Sequence, residues 1–273
     1  MSALSRKIDY QDVATTSARP GSFVTDDGIR VSFFRWGTDD TRIPVTLHHG
    51  FAASTEANWV GTGVVAALLA AGRSVISIDA RGHGQSDKPH DADRYGEARM
   101  ARDLVGLLDH LEVGEFDLFG YSMGAIVSLI VASEDTRLRH LIVGGIGEGV
   151  LATGGVDLRV MDRDAVVAAM LTDDPSTIAA PDVAAFRLFA ESTGCDLKAL
   201  AAQASRMFDQ VIPLNRIAAA CLVLAGEKDT LAIHPEQLAA AIPRGRCIKV
   251  PGDHLGAVRQ PQFIAAALEF LGH

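Results

Sequence analysis

The chain has 273 residues, 48% of them hydrophobic and 22% charged, a make-up that suits a folded globular protein with one large α/β domain plus an insertion and excludes a largely disordered one. Twenty-five basic residues against 34 acidic ones give a formal charge of −9, and the basic residues are scattered rather than bunched, so neither nucleic acid nor an anionic membrane is an expected partner. The N-terminus MSALSRKIDYQDV lacks the apolar core of about 7 to 15 residues that marks a secretory signal, no apolar run approaches the roughly 18 residues that cross a bilayer, and the expected location is cytoplasmic.

After an irregular stretch expected over the first 20 residues, GSFVT and IRVSFFRWG flank the turn signal DDG and predict two antiparallel edge strands. Short β-branched runs then alternate with helical segments: PVTLHHG (44–50), a helix over 57–71, SVISIDA (74–80), a helix over 95–112, FDLFGY (116–121), a helix over 123–133 and LIVGG (141–145). Such alternation implies a mostly parallel sheet covered by helices on both faces. Residues 146–215 break the rhythm with helical composition and little strand character, the size and place of a helical cap inserted between core segments 1–145 and 216–273. The alternation returns with AACLVLAG (219–226), a helix over 235–241, CIKVPG (247–252) and a last helix over 257–271, which completes an eight-stranded count.

Cys195, Cys221 and Cys247 are far apart and free of C-x-x-C spacing, and none of the nine histidines falls in an H-E-x-x-H pattern, so no disulfide framework, metal or other cofactor is expected. GGIGEGVLATGG (144–155) does not fit a glycine-rich phosphate loop opening a helix and reads as a flexible hinge into the insertion.

Reactive groups in a parallel α/β sheet gather at the carboxyl ends of the strands. FDLFGYSMG puts Ser122 at such an end, at a strand-to-helix turn, with Gly120 and Gly124 leaving room for a sharp backbone. The free N–H groups and dipole of the following helix favour negative charge developing beside it.

These motifs resemble those of the α/β-hydrolase superfamily over roughly residues 22–271: GYSMG is similar to its nucleophile elbow, HHGF to its oxyanion segment, and DARGHGQSD to the loop after the next strand. LAGEKDT puts Asp229 where the family commonly keeps its acid, and PGDHLGAV puts His254 in the loop after the last strand. The resemblance implies a triad of Ser122, Asp229 and His254, with the backbone N–H groups of Phe51 and Met123 as oxyanion donors. Glu227, in the same loop as Asp229, and Glu148, after the sixth strand, remain alternatives for the acid. His48, His49 and His83 are expected to support loops by hydrogen bonding.

The chemistry accounts for the residue types. A histidine base makes a serine hydroxyl nucleophilic, a carboxylate holds the imidazole, and two amides stabilise the tetrahedral oxyanion. The serine separates this chain from haloalkane dehalogenases and related epoxide hydrolases, which use aspartate at the elbow. The resemblance then implies a serine hydrolase acting on a neutral, small to medium carboxylic ester or lactone through an acyl-enzyme. A carbon–carbon bond hydrolase, amidase or perhydrolase on the same residues, or a small-molecule receptor of low turnover, stand as alternatives. Met161, Met170, Phe186, Phe189, Met207 and Phe208 stand at helical spacing and are expected to be mostly core of the cap, with a minority facing the cleft. Met161, Phe186, Phe189, Met207 and Phe208 are the candidates for the substrate pocket. Oligomeric state is not legible.

Overall fold

The computed structural model describes residues 18–37, 43–157 and 159–272. Of the irregular start expected over the first 20 residues, 1–17 lie outside this set, whereas Arg19 and Pro20 already belong to a strand.

Eight strands form one sheet: β1 (Arg19–Val24), β2 (Arg30–Trp36), β3 (Val45–His48), β4 (Val75–Asp79), β5 (Phe116–Tyr121), β6 (Leu138–Gly144), β7 (Ala220–Gly226) and β8 (Gly245–Val250). Their spatial order is β1-β2-β4-β3-β5-β6-β7-β8. Every pairing from β4 to β8 is parallel, and β2 runs antiparallel to both β1 and β4. The expectation of two edge strands at the start is therefore half right. Only β1 is an edge; β2 is bonded on both sides, and its run VSFF is correspondingly more buried than GSFV of β1.

Side chains alternate across a strand, so each central strand feeds two apolar layers. Leu118, Leu141, Val143 and Val223 enter one layer, and Phe119, Ile142, Leu222 and Leu224 enter the other. Helices α1 (Val64–Ala70) and α9 (Pro261–Phe270) cover the second layer with Val64, Val65, Leu68, Phe263 and Ala266. Helices α2 (Glu97–His110), α3 (Met123–Glu134) and α8 (Pro235–Ala240) cover the first. Every residue of α3 from Met123 to Ala132 is buried, as its largely apolar composition requires of a helix enclosed on all sides, and the one buried hydroxyl, of Ser128, donates to the Gly124 carbonyl at 2.7 Å. Phe119 is sealed between Trp59 and Phe263, and truncating it to alanine costs about 3–5 kcal/mol.

Two expected helices are broken. The segment 57–71 is a π-helical turn Glu56–Val60 followed by α1, because Gly63 at φ 85° interrupts it. The segment 257–271 is a 3₁₀ turn Ala257–Arg259 and then α9, because Gln260 is extended ahead of Pro261.

Between β6 and β7 stand α4 (Gly149–Thr153), α5 (Arg163–Leu171), α6 (Pro181–Ser192) and α7 (Leu197–Ala204). Asp162 and Asp196 cap α5 and α7 by accepting N–H bonds from the first turn. Val166, Met170, Phe186 and Leu200 join the first apolar layer, so the inserted helices share the core of the sheet. The glycine stretch expected to be a flexible hinge is instead tightly packed. A Cβ on Gly147 would sit 2.1 Å from the Ile233 carbonyl oxygen, and one on Gly154 would sit 1.6 Å from that of Gln210. Glycine is required there by close approach, not for mobility.

Candidate active site

Ser122 ends β5 and begins α3 with φ 53° and ψ −116°, a conformation that costs a non-glycine residue on the order of 1–3 kcal/mol and is held by its surroundings. Its N–H donates to the Gly144 carbonyl at 2.7 Å, and its carbonyl receives the N–H groups of Ala125 and Ile126. The flanking glycines permit the turn to sit against its neighbours: a Cβ on Gly124 would meet the His48 carbonyl oxygen at 2.1 Å, and one on Gly120 would meet that of Gly124 at 2.2 Å. The hydroxyl is thereby carried out above the sheet's carboxyl edge.

His254, in the loop after β8, receives the Ser122 hydroxyl at Nε2 over 3.0 Å. Its Nδ1–H donates to Asp229, in the loop after β7, with both carboxylate oxygens at 3.0 Å. That partner set fixes the tautomer, since an ionised carboxylate only accepts. The Leu231 N–H donates a further bond to Asp229 Oδ1 at 2.9 Å, and the Asp229 side chain is fully buried. Tyr121 donates its hydroxyl to the His254 carbonyl at 2.6 Å, tying the histidine loop to the residue before the serine. Glu227 is exposed, and Glu148 is engaged with Arg159 at 3.2 Å and His234 at 3.0 Å, so neither of these alternatives meets His254.

Phe51, on the loop after β3, lines the cavity together with Ser122, and Met123, the next residue after Ser122, stands at the first position of α3. Among the described residues neither backbone N–H has a hydrogen-bond partner, which leaves both donors free. The Phe51 loop is shaped from several directions. The Gly50 N–H donates to Asn58 Oδ1 at 2.9 Å, and the Ala52 N–H donates to His83 Nε2 at 3.2 Å. Ala52 itself is held at φ 57°. His83 can accept there because its Nδ1–H is given to the Arg81 carbonyl, and His49 acts alike, giving Nδ1–H to the Gly50 carbonyl and receiving the Ala80 N–H. Burial keeps these rings neutral: it pushes the pKa of His48 down to about 3, lowers that of His49, and carries that of His83 well below the ordinary imidazole value. The inserted helices also reach this loop, for Thr193 Oγ1 and Cys195 Sγ both donate to the Ala52 carbonyl, at 3.0 and 3.4 Å.

Ser122 and His254 open into a cavity of about 260 Å³ walled by Phe51, Ala57, Asn58, Tyr121, Phe186, Phe189, Leu255, Val258 and Arg259, among others. Phe186 of α6 lies over the site, its ring 5.8 Å from that of His254 and 6.4 Å from that of Phe51. Of the five expected pocket residues, Phe186 and Phe189 are therefore at the cavity and three are not. Met207 and Phe208 line a separate cavity of about 510 Å³ beside Tyr95 and Arg163, where Phe208 packs on Gly154 and gives its N–H to Glu97. Met161 is buried in the first apolar layer. The apolar set is thus divided, with Phe186 and Phe189 at the cavity and Met161 and Met170 in the core. Asn58, Thr193 and Arg259 carry no sequence pattern that marks them, and Cys195 is read from sequence only as free of disulfide and metal spacing. Of these only Arg259, five residues after His254, stood near enough to a motif to be noticed. Among the described residues no group of three or more His, Cys, Asp or Glu side chains is placed to hold a metal ion.

A mostly parallel sheet with a serine on a strained strand-to-helix turn, an aspartate and a histidine at the carboxyl ends of β5, β7 and β8 defines the α/β-hydrolase architecture. Residues 43–165 match the family model described as alpha/beta hydrolase fold, and the chain belongs to the α/β-hydrolase superfamily. Over 147 residues it is 32% identical to 2-hydroxy-6-oxo-2,4-heptadienoate hydrolase of Pseudomonas putida, covering 53% of this chain and 51% of that one. The chain spans about half the length of the curated relatives it matches. A crystal structure of a hydrolase from Pseudomonas aeruginosa is similar over 93% of this chain and 99% of the other, with a TM-score of 0.76 and 27% identity. A thermophilic esterase from Thermogutta terrifontis is similar over 93% and 98%, with a TM-score of 0.73 and 25% identity. Among the described residues no helix is long and apolar enough to cross a membrane.

Proposed function

We propose that the protein is a serine hydrolase of small to medium carboxylic esters or lactones, with Ser122 as nucleophile, His254 as general base and acid, Asp229 as its orienting carboxylate, and residues 146–215 as a cap. The observation that carries this reading is the unbroken row from Ser122 Oγ through both ring nitrogens of His254 to Asp229, each step 3.0 Å, at the floor of an apolar cavity.

The row does the following chemistry. His254 Nε2 takes the Ser122 proton as Oγ attacks the ester carbonyl, and Asp229 stabilises the imidazolium that forms. The carbonyl oxygen becomes an oxyanion facing the free N–H groups of Phe51 and Met123, each such donor contributing about 3 kcal/mol to the transition state. The tetrahedral intermediate collapses as His254 returns the proton to the leaving alkoxide. Water then enters and attacks the acyl carbonyl while giving a proton to His254, which returns it to Ser122 Oγ as the carboxylic acid leaves.

The apolar walls and the absence of a carboxylate among the lining residues favour an ester over a cationic or heavily polar substrate. The thermophilic esterase supports the ester bond. The similarity to a heptadienoate hydrolase favours a second reading, in which the same three residues cleave a carbon–carbon bond next to a ketone. The test is fluorophosphonate labelling with mass spectrometry to locate the adduct, run beside a panel of simple esters. The expected result is an adduct on Ser122 and saturable ester turnover. An adduct on another serine overturns the assignment, and labelling of Ser122 without turnover of any ester moves the protein to the second reading or to a receptor.

A further inference from the structure

The cavity above Ser122 combines apolar walls with a few neutral polar groups and a single arginine, whose side chain has no partner among the described residues. No Asp or Glu is among its lining residues, while Arg259 is. The position of this arginine is tied to the reacting row. It ends the 3₁₀ turn Ala257–Arg259 in the loop that carries His254, and the turn is anchored by the buried side chains of Ala257 and Val258. The Ala257 N–H donates to the Asp253 carbonyl at 2.9 Å, the Gly256 N–H to Asp253 Oδ1 at 2.7 Å, and the Arg259 N–H to the Gly256 carbonyl at 3.1 Å. The backbone that fixes the base therefore also fixes the root of the cation at the cavity rim.

Several arginines of this acidic chain meet carboxylates: Arg81 with Asp27 and Asp103, Arg137 with Asp109 and Asp135, Arg187 with Glu191. Arg259 shares with the exposed Arg102, Arg216, Arg244 and Arg246 the lack of one among the described residues, and differs from them in lining the cavity of Ser122. Among the described residues the Arg259 side chain makes no ion pair or hydrogen bond. Arg259 is exposed to solvent at the cavity mouth, and its planar fork of donors matches a carboxylate. One cation balances one negative charge, whereas phosphorylated or nucleotide-linked substrates would bring two or more.

We propose that Arg259 is a specificity-determining residue that receives a carboxylate at the far end of the ester. The substrate class is then a half-ester of a dicarboxylic acid, or an ester or lactone bearing one free carboxylate. Its apolar spacer lies along Phe189, Leu255 and Val258, which line the same cavity. This inference rests on the serine-hydrolase reading and replaces the wholly neutral substrate expected from the sequence with one that is neutral at the scissile bond and anionic at its other end.

The test compares kcat/KM for monomethyl adipate with that for methyl heptanoate, in the unaltered protein and in Arg259→Gln, Arg259→Lys and Arg259→Glu. The unaltered protein is expected to prefer the half-ester by about tenfold or more, mainly through KM, as one charge-assisted bidentate contact supplies. Arg259→Gln collapses that ratio, Arg259→Lys retains part of it, Arg259→Glu inverts it, and raising the salt concentration lowers it in the unaltered protein. Protection of Ser122 from fluorophosphonate by the two esters gives the same ratio without requiring turnover. A ratio near one in the unaltered protein, or one that survives Arg259→Gln, overturns the proposal while leaving the hydrolase reading intact. Failure of both esters to be consumed or to protect, with no adduct on Ser122, takes down both.

Discussion

The loops at the strand ends and the inserted helices above them meet at one site but are built differently. Around Ser122 the constraint lies in the backbone: Gly124 faces the His48 carbonyl with no room for a methyl group, Ser122 and Ala52 hold left-handed φ, and the Ala52 N–H is consumed by a buried histidine. The inserted helices reach the site only through side chains, with the Phe186 ring over His254 and the Thr193 and Cys195 donors on Ala52. Backbone constraints admit few alternatives, whereas side-chain contacts can be exchanged one at a time. Substitutions at the strand ends should therefore act all or none, and those in the insertion should act by degrees.

The largest effect expected is at the row itself. Ser122→Ala should remove at least roughly 10⁴-fold of kcat, and Asp229→Asn about 10²- to 10⁴-fold with little change in KM, because both groups act in the transition state. Glu148→Gln and Glu227→Gln should stay within about tenfold, one being tied to Arg159 and His234 and the other exposed. Steady-state kinetics on the best ester of the panel decide this. Collapse in Glu148→Gln with Asp229→Asn unimpaired would show that Asp229 is not the orienting carboxylate.

Next comes Gly124→Ala. A methyl group 2.1 Å from the His48 carbonyl oxygen has backbone rather than a flexible side chain to displace, so the loop after β3 must move. The expected loss is about 1–3 kcal/mol of stability or more, read as a fall in the thermal midpoint, together with loss of Ser122 labelling. The same substitution at Gly63, which has open space around it but a φ of 85°, should cost only backbone strain and leave labelling intact.

Much of this contrast was legible in the sequence. Ser122, Asp229 and His254 each follow a short run rich in apolar residues, and a strand's end is where such a run delivers a polar residue to a shared edge. What was illegible depends on distant partners. Asn58 serves Gly50 from within a π-helical turn, His83 meets Ala52 across 31 residues, and Thr193 meets it across 141. No local pattern marks such pairs. Met161, Met207 and Phe208 lay at helical spacing like Phe186 and Phe189, but spacing does not say which neighbour an apolar face will meet. The second strand was placed at the edge because alternation reads alike in a strand bonded on one side or on two.

The two regions should also respond to pH in opposite directions. His49 and His83, under the Phe51 loop, have pKa values lowered by burial, so the unfolded chain binds protons that the folded one refuses. Their contribution is complete above an unfolded value of about 6.5 and is lost as pH falls below it. Glu97 of α2 accepts the Phe208 N–H at the end of the insertion, and burial pushes its pKa up to about 7. Its contribution is complete below about 4.5 and is lost as pH rises through 7, up to a few kcal/mol, on the order of 3. Hydrogen exchange, corrected for intrinsic rates, should show the Ala52 amide losing protection on acidification and the Phe208 amide losing it toward pH 8. Glu97→Gln should abolish the second trend and leave the first. Parallel trends at both amides would mean that the strand-end loops and the seam open as one unit.

The smallest effect expected is at the clasp between the regions. Thr193 Oγ1 lies 3.0 Å from the Ala52 carbonyl and at 3.0 and 3.1 Å from those of Phe189 and Ala190, so its single proton is divided among three acceptors. Cys195 Sγ stands by as a second donor to Ala52. Thr193→Val therefore removes only part of the clasp, worth about 0.5–1.5 kcal/mol. If the clasp serves the site, that loss should appear as a two- to tenfold fall in kcat with KM unchanged, because the Ala52 peptide sets the aim of the preceding Phe51 N–H, which matters only once the oxyanion forms. Thr193→Val combined with Cys195→Ala should exceed the sum of the two single changes, since each donor covers for the other. A fall in thermal midpoint with kcat untouched would instead make the clasp an anchor for the inserted helices alone, and the oxyanion loop would then owe its shape entirely to Asn58, His49 and His83 beneath it.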